Sequence, residues 1–368
     1  MIYALLIFYY HRIWDQIPLT TSQNLNLNTS VKSTRVSVII PARNEGASIT
    51  KCLDSIYNQS YSKSLTEVIV IDDFSIDDTA ILASEHKSKC KVLHLSDYVS
   101  NDLNSYKKKA IETAIAHSSG ELIICTDADC TMDPEWILTI VSFYQKEDFH
   151  FIASPVKITG VKSLLSIFQA LDFISLQGIT GAAVYKNLYP MCNGANLAYS
   201  RKAYDAVGGF SNIDNIASGD DMLLMKKINA HFPGKSGYAK DERVIVSTEP
   251  VKNIRAFFSQ RIRWASKISH YQHASTFFTL ALVYLVNIFL TFLFISCFFY
   301  GHWRWLVILV AFKTLSEFFF VSKVARFFQQ QSLMNYFILC QPFHILYTVI
   351  AGSFGSFGKY EWKNRKVK

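Results

Sequence analysis

The sequence predicts an α/β catalytic domain, a mostly parallel sheet with helices on both faces, followed by C-terminal transmembrane helices. Three observations carry this reading. Between Arg35 and about Met191, short β-branched runs alternate with stretches of helical spacing. Continuous apolar strands of that kind belong to parallel sheets buried on both faces. From Ala274 to Tyr300 there is no charged residue across 27 positions, more than the roughly 20 needed to cross a hydrocarbon core. Finally, acidic motifs fall where the apolar strands give out, the side on which such sheets gather ligands.

Taken in order, Met1 to Tyr10 are uncharged and apolar, and His11 and Arg12 come next. Ten helical residues reach only about 15 Å, half a span, so this is an interfacial anchor or the remnant of a longer first helix. It lacks the basic n-region and small-residue cleavage site of a signal peptide. Residues 15–34 are polar and read as a linker, so 1–34 form an anchor and linker. Strands are expected at Val36 to Ile40, Val68 to Ile71, Val92 to Leu95 and Leu122 to Thr126, with helices near 45–58, 77–87, 105–117 and 134–146. With the remaining residues up to 250 they make the catalytic domain, 35–250.

The most informative stretch is Cys125-Thr126-Asp127-Ala128-Asp129. Two carboxylates one residue apart, where a buried strand ends in a turn, suit Mg²⁺ or Mn²⁺, which keep water and substrate phosphates in their remaining positions. By itself the motif is weak, because acidic turns after strands are common caps. Its company strengthens it. After the first strand comes Pro41-Ala42-Arg43-Asn44-Glu45, where Pro41 ends the strand and Asn44 can cap the next helix. After the second comes Asp72-Asp73-Phe74-Ser75-Ile76-Asp77-Asp78-Thr79. The last three read equally well as a capping turn, but adjacent acids at a strand end have no capping task and suit a ligand. One of Lys107, Lys108 and Lys109 can reach a diphosphate, although a solvated face is the plain alternative.

Residues Lys162 to Thr180 have the spacing of a core-packed helix. Met191 to Tyr199 read as loop into strand, with Gly194 permitting a close backbone approach. Ser218-Gly219-Asp220-Asp221 places an acidic pair at a helix start, where the helix dipole favours acids whatever their function. In Val251 to Ile268, the basic residues Lys252, Arg255, Arg261, Arg263 and Lys267 interleave with Ile254, Phe257, Phe258, Trp264 and Ile268. A basic amphipathic helix before a span lies on the membrane surface. Residues 251–272 are therefore an interfacial helix.

Residues 273–368 hold two or three hydrophobic segments and a basic tail. Thr276 to Tyr300 is the first. The second, Trp305 to Val321, carries Lys313 and Glu317 at i,i+4 spacing, where they can pair as intramembrane charges must. The third, Leu333 to Phe357, is interrupted by Gln341-Pro342. The tail (Lys359, Lys363, Arg365, Lys366, Lys368) should stay cytoplasmic. A net charge of +8 invites a nucleic-acid reading, but no zinc-finger spacing, RNP aromatic pattern or basic arm is present. Beside membrane segments such charge faces anionic lipid. The seven cysteines are scattered without CxxC pairs, as in a reduced protein without a disulfide or zinc framework.

These motifs together resemble the inverting family 2 glycosyltransferases, especially the membrane-bound branch with cellulose, hyaluronan and poly-N-acetylglucosamine synthases. The matching signals are Pro-Ala-Arg-Asn-Glu (41–45), Asp72-Asp73-Phe-Ser, Asp127-Ala-Asp129, Gly219-Asp220-Asp221 and Gln260-Arg-Ile-Arg263-Trp264, over roughly residues 33–270. The resemblance implies a Rossmann-like GT-A fold and a nucleotide-sugar donor, usually a UDP-sugar. It places Arg43, Glu45, Asp72 and Asp73 around the donor, with Lys109 approaching the diphosphate. Asp127 and Asp129 would hold Mg²⁺ or Mn²⁺ and, through it, the donor, while Arg263 meets the pyrophosphate. Asn193, Gly194, Asn196, Gln260 and Trp264 fall to the acceptor side. Asp221 would be the general base and Asp220 its support. Where the family commonly has Glu-Asp, this chain has Asp-Asp, which leaves the choice of base between them open.

Three functions compete. The first is extension of a β-linked polysaccharide at the cytoplasmic face of the cell (inner) membrane, with partner subunits for export, since a membrane part this small does not by itself make a polymer channel. The second is transfer of one sugar to a membrane lipid, as in the ceramide glucosyltransferases, which share the acidic motifs and the Gln-x-x-Arg-Trp. The third is a non-catalytic nucleotide-binding membrane partner. No nucleic acid is among the expected partners.

Overall fold

The computed structural model describes residues 1–19, 33–100, 103–216, 219–266, 274–355, 360–362 and 365–367. Most of the polar linker, Ser218, Lys267, Ile268, Phe357 and the tail residues Lys359, Lys363 and Lys368 lie outside the described residues. In chain order the main elements are α1 (Ile2–Gln16), β1 (Val36–Ala42), α2 (Ile49–Tyr57), β2 (Thr66–Asp72), α3 (Thr79–Ser84), β3 (Lys91–His94), α4 (Tyr106–Ala116) and β4 (Leu122–Cys125). Then come β5 (Thr131–Met132), α5 (Trp136–Glu147), β6 (Phe151–Ala153), β7 (Val156–Ile158), α6 (Leu164–Tyr185), β8 (Leu197–Ser200), α7 (Arg201–Ala206), α8 (Asp220–His231), β9 (Ser236–Tyr238) and β10 (Val246–Thr248). Then come the helices α9 (Ile254–Ala265), α10 (Ala274–Tyr300), α11 (Trp303–Phe327) and α12 (Phe337–Gly355), and after them a short antiparallel pair, β11 (Tyr360–Trp362) and β12 (Arg365–Val367).

The chain divides into two compact units. One comprises Pro18–Lys157 and Ala183–Glu249, the other Met1–Ile17, Ile158–Ala182 and Pro250–Lys368. The expected catalytic domain, 35–250, is thus interrupted, because the apolar α6 groups mostly with the helices.

The first unit is built on a seven-stranded sheet of order β3-β2-β1-β4-β8-β6-β9. β1 lies parallel to both β2 and β4, and β2 to β3, while β8 is antiparallel to β4 and β6. The four expected strands are its parallel half, and Val38, Ile39 and Ile40 at its centre are fully buried. Pro41 does not end β1; it pairs in register with Ile71. Beyond the reversed β8, β6 and β9 lie parallel to each other and are three residues each, too short to carry a period.

At Gly120 the chain crosses close against the central strand. Its N–H donates to Ser37 Oγ at 2.8 Å, and a Cβ there would stand 2.5 Å from the Ser37 backbone nitrogen. That nitrogen belongs to a strand paired on both sides and has nowhere to move. Gly120→Ala should cost about 2 kcal/mol of stability, measured as a lowered thermal unfolding midpoint of the full chain in detergent.

Among the described residues, four helices are long and apolar enough to cross a membrane: Leu164–Tyr185, Ser275–Tyr300, Trp303–Phe327 and Gln331–Gly355. The most apolar stretch of the first is 78% buried inside the protein, against 11%, 22% and 28% for the others, so α6 is a packed helix and the last three carry the outward apolar surface. Phe292, Phe298 and Phe299 on α10 are exposed, as suits lipid contact. The helix α12 continues through Pro342, so the interruption expected there does not occur; proline is tolerated inside membrane helices. α1 packs on α11 through Trp14 against Phe327, with ring centres 5.5 Å apart, and Tyr3 donates to Glu317. Lys313 lies 2.7 Å from Glu317, and Gln341 bonds both, at 3.0 and 2.8 Å. The expected intramembrane pair is therefore buried and bracketed.

Candidate active site

The site grows from the carboxyl ends of β1, β2 and β4. The loops after β1 and β2 are stitched together. Arg43 Nη1 donates to the carbonyls of Asp73 and Phe74 at 2.8 and 3.1 Å, and the Glu45 N–H donates to Thr79 Oγ1 at 2.7 Å. Asn44 does not cap the next helix: it takes a left-handed φ of 51°, and its Oδ1 accepts from the Ile76 N–H at 2.9 Å. Asp77 accepts from the N–H groups of Gly46 and Thr79, which is the capping turn read as the plain alternative.

Asp72 and Asp73 are both buried at the end of β2. Asp72 Oδ2 accepts from the Ser75 N–H at 3.3 Å and lies 3.8 Å from His94 Nδ1. Its Oδ1 finds no hydrogen-bond partner among the described residues. A buried carboxylate oxygen without a donor is costly, so this atom is suited to accept from a bound nucleobase or sugar N–H or O–H. Phe74, at a φ of 54°, meets Tyr106 edge-on at 5.9 Å.

At the centre stands Lys107. Its Nζ is 2.8 Å from Asp127 Oδ1 and 3.5 Å from Asp220 Oδ2, so one ammonium ties the acidic turn after β4 to the start of α8. Burial works against its charge, but Asp127, Asp220 and Asp221 override this and hold it well above the ordinary lysine range. Asp127 is 37% exposed and Asp220 13%, which leaves the former open to a ligand. Gly219, at a φ of 81°, turns the chain into α8. Asp221 is buried, and two backbone N–H groups fix its carboxylate: Gly194 donates to Oδ2 at 3.2 Å and Met222 to Oδ1 at 2.8 Å. Gly194 is what permits this closeness. A Cβ there would lie 3.2 Å from Lys107 Nζ and 3.4 Å from Asp220 Oδ2.

Asp129 Oδ1 accepts from the Cys130 thiol at 3.3 Å and its Oδ2 from Thr248 at 3.4 Å. Burial, reinforced by Asp129 and Asp127, pushes the Cys52 and Cys130 thiols up, and burial pushes Cys125 up to about 12. These sulfurs therefore stay protonated, and Asp127 and Asp129 offer a hard-oxygen set that fits Mg²⁺ or Mn²⁺. No group of three or more His, Cys, Asp or Glu side chains arranged for a metal occurs among the described residues. An ion on this pair would draw its remaining ligands from water and a diphosphate.

Two expected residues are not where the sequence reading had them. Lys109 pairs with Glu112 at 2.7 Å on the surface, and it is Lys107 that reaches the acids. Lys108 is buried and anchors the carbonyls of Ile213 and Ile216. Asn196 is fully buried, accepting from Trp136 Nε1 at 3.0 Å and donating to the carbonyls of Pro155 and Val244, each at 2.7 Å. Its amide braces the core rather than facing an acceptor. Asn193 Oδ1 accepts from the Ala195 N–H at 3.0 Å and shapes the same loop. Gln260, Arg263 and Trp264 lie on α9, in the helical unit.

Because the carboxylates are tied by Lys107, Lys107→Met should lower turnover by about a hundredfold, the scale of losing one preorganised charge partner. Lys109→Met should leave turnover within about twofold, as expected for an exposed pair. Parallel initial-rate measurements separate the two.

Residues 37–208 match the model of glycosyl transferase family 2. Among curated relatives, a glycosyltransferase of Haloferax volcanii is 28% identical over 52% of this chain and 60% of its own length. The poly-beta-1,6-N-acetyl-D-glucosamine synthase of Staphylococcus epidermidis is 24% identical over 62% of this chain and 53% of its own. The chain thus spans between about half and three fifths of these relatives. Among solved structures, a mannosyltransferase of Pyrobaculum calidifontis in complex with GDP-Man and Mn²⁺ superposes with a TM-score of 0.56 at 18% identity, covering 96% of this chain and 94% of that one. At that identity the likeness concerns the fold, which is GT-A.

Proposed function

We propose, from the premise that residues 37–208 form a glycosyl transferase family 2 domain, that the chain moves a sugar from a nucleotide-sugar donor to a saccharide acceptor at a membrane, inverting the anomeric centre. The observation that supports this most is the single ammonium of Lys107 between Asp127 and Asp220, with Asp221 fixed beside it by the Gly194 N–H. On this reading the arrangement joins the proposed metal-binding pair to the proposed base.

The donor is a UDP-sugar. Its nucleoside sits at the β1 and β2 strand ends, where Asp72 Oδ1 accepts a hydrogen bond and Arg43 and Glu45 hold the loops in shape. Asp127 and Asp129 would hold Mg²⁺ or Mn²⁺, which when bound would supply positive charge to a departing diphosphate. Asp221 accepts the proton of the acceptor hydroxyl as that oxygen attacks the anomeric carbon in line with the leaving group. Its two backbone hydrogen bonds orient the carboxylate before substrate arrives, and Asp220 shares the neighbouring charge with Lys107. Arg263 stabilises charge developing on the leaving diphosphate, and Trp264 offers an aromatic face to the acceptor sugar; both roles follow the family motif. Asn193 and Gly194 shape the acceptor side.

The helical unit anchors the protein in the cell membrane with the catalytic unit on the cytoplasmic side, where nucleotide sugars are made and the basic tail belongs. The product is a β-linked polysaccharide. Incubating membranes that carry the full chain with labelled UDP-sugars and Mn²⁺, then separating polymer from lipid extract, tests this. Label in polymer supports the reading, label in glycolipid moves the acceptor to a membrane lipid, and no incorporation from any donor rejects transfer.

A further inference from the structure

A second charged cluster, inside the helical unit, takes no part in the chemistry above. On α9 the residues Phe257, Arg261 and Trp264 fall on one face at i, i+4 and i+7, and Phe257 and Arg261 are its buried positions. Arg261 Nη2 lies 2.7 Å from Asp172 Oδ2 on α6, with side chains 4% and 2% exposed. The contact is an ion pair rather than an aligned hydrogen bond, and Arg261 Nε and Nη1 find no hydrogen-bond partner among the described residues. Aromatic faces take their place: the guanidinium carbon stands 4.2 Å from the Trp264 ring centre and 5.0 Å from that of Phe257. Asp172 is itself held, accepting from the Tyr347 hydroxyl on α12 and lying 3.9 Å from His344 Nε2.

A buried ion pair of this kind is a weak source of stability, since apolar residues of similar volume do as well or better. What it does provide is direction. A planar guanidinium stacks on an aromatic ring in a defined orientation, so a carboxylate that fixes Arg261 also fixes the Trp264 ring. Trp264 in turn shares the adjacent face with Gln260 and Arg263, Gln260 leading at i with the others at i+3 and i+4.

We propose that Asp172 is a positioning residue for sugar transfer: by clamping Arg261 under Trp264 it sets the rotation of α9, and with it the presentation of Gln260, Arg263 and Trp264. This rests on the transferase reading, in which α9 carries groups used in the reaction. The role of Asp172 is carried entirely through Arg261, and it touches no substrate.

The test uses the full chain in lipid nanodiscs and whichever nucleotide sugar, from a panel of UDP- and GDP-sugars, the wild type turns over fastest. Three variants are compared: Asp172→Asn, Asp172→Glu, and the apolar pair Asp172→Leu with Arg261→Met. Asp172→Asn should lower kcat about a hundredfold, the scale of a small misplacement of reacting groups. Its donor dissociation constant should stay within about threefold, because the nucleoside groups are not on α9. Asp172→Glu should recover kcat to within about tenfold of wild type, since it keeps the charge. The apolar pair should regain the wild-type unfolding midpoint and still turn over about a hundredfold slowly. If the apolar pair regains midpoint and kcat together, or if Asp172→Glu is as slow as Asp172→Asn, Asp172 is only a packing group and the proposal fails. A wild type that turns over no donor rejects the transferase reading, and this inference with it.

Discussion

Asp221→Asn should lower sugar transfer by about a thousandfold, within the range lost with a general base, while donor affinity stays nearly intact. The substitution keeps the size of the side chain and removes its capacity to take a proton. Both oxygens of Asp221 accept backbone N–H groups, from Gly194 and Met222. An asparagine satisfies one and presents an NH₂ to the other, which adds a small local shift to the loss of the base. Asp220 has the other job. It faces Lys107 at 3.5 Å, so Asp220→Asn should cost about tenfold by weakening that charge pairing. Single-turnover transfer measured beside equilibrium binding of the donor distinguishes them. A wild-type rate from Asp221→Asn would move the base to Asp220 or elsewhere.

The paired change Asp127→Asn with Asp129→Asn should abolish tight Mn²⁺ binding, seen directly by electron paramagnetic resonance of the ion without any substrate. Transfer should fall with it by at least about a hundredfold, since charge stabilisation by a metal amounts to several kcal/mol and each 1.36 kcal/mol is about tenfold in rate. Chelation of the divalent ion should reproduce that loss in the wild type and add nothing in the variant. Persisting Mn²⁺ binding in the variant would show that other residues hold the ion. Lys107 gives the experiment a second edge. It lies 2.8 Å from Asp127, so neutralising both acids leaves Asp220 and Asp221 as its counter-charges, and the fold around them should be preserved.

Much of this site was legible in the sequence because its acids stand at strand ends. β1, β2 and β4 are buried parallel strands that read as unbroken apolar runs, and Asp72, Asp73, Asp127 and Asp129 come directly where those runs stop. The acidic pair at 220 and 221 was legible differently, as acids at a helix start, where the helix dipole favours them whatever their function. The lysines were not. Lys107, Lys108 and Lys109 are successive residues of one helix, about 100° apart, and which of them turns toward the acids depends on how Ala110, Ile111 and Ala114 seat α4 against the sheet. Sequence spacing contains no such rotation. Asn196 misled for a related reason: its partner Trp136 is 60 residues away, and a buried amide bracing a turn looks the same in sequence as an amide facing a sugar.

The membrane part divides similarly. Lys313 and Glu317 announced their pairing by i,i+4 spacing, but Gln341, which bridges them from α12, sits beside Pro342 and read as part of a break. The helix runs on through that proline, which is tolerated in membrane helices where surrounding groups can satisfy the freed backbone carbonyl. Asp172 was silent altogether. In sequence it is one acid in an apolar helix, and only the packing of α6 and α9 brings it to Arg261.

The measurement that bears most directly on inverting transfer is the anomeric configuration of the first linkage formed, read by nuclear magnetic resonance when the purified full chain in nanodiscs acts on an α-linked UDP-sugar with Mn²⁺. One in-line displacement assisted by Asp221 gives a β-linked product. An α-linked product, or no product from any nucleotide sugar offered, would contradict it.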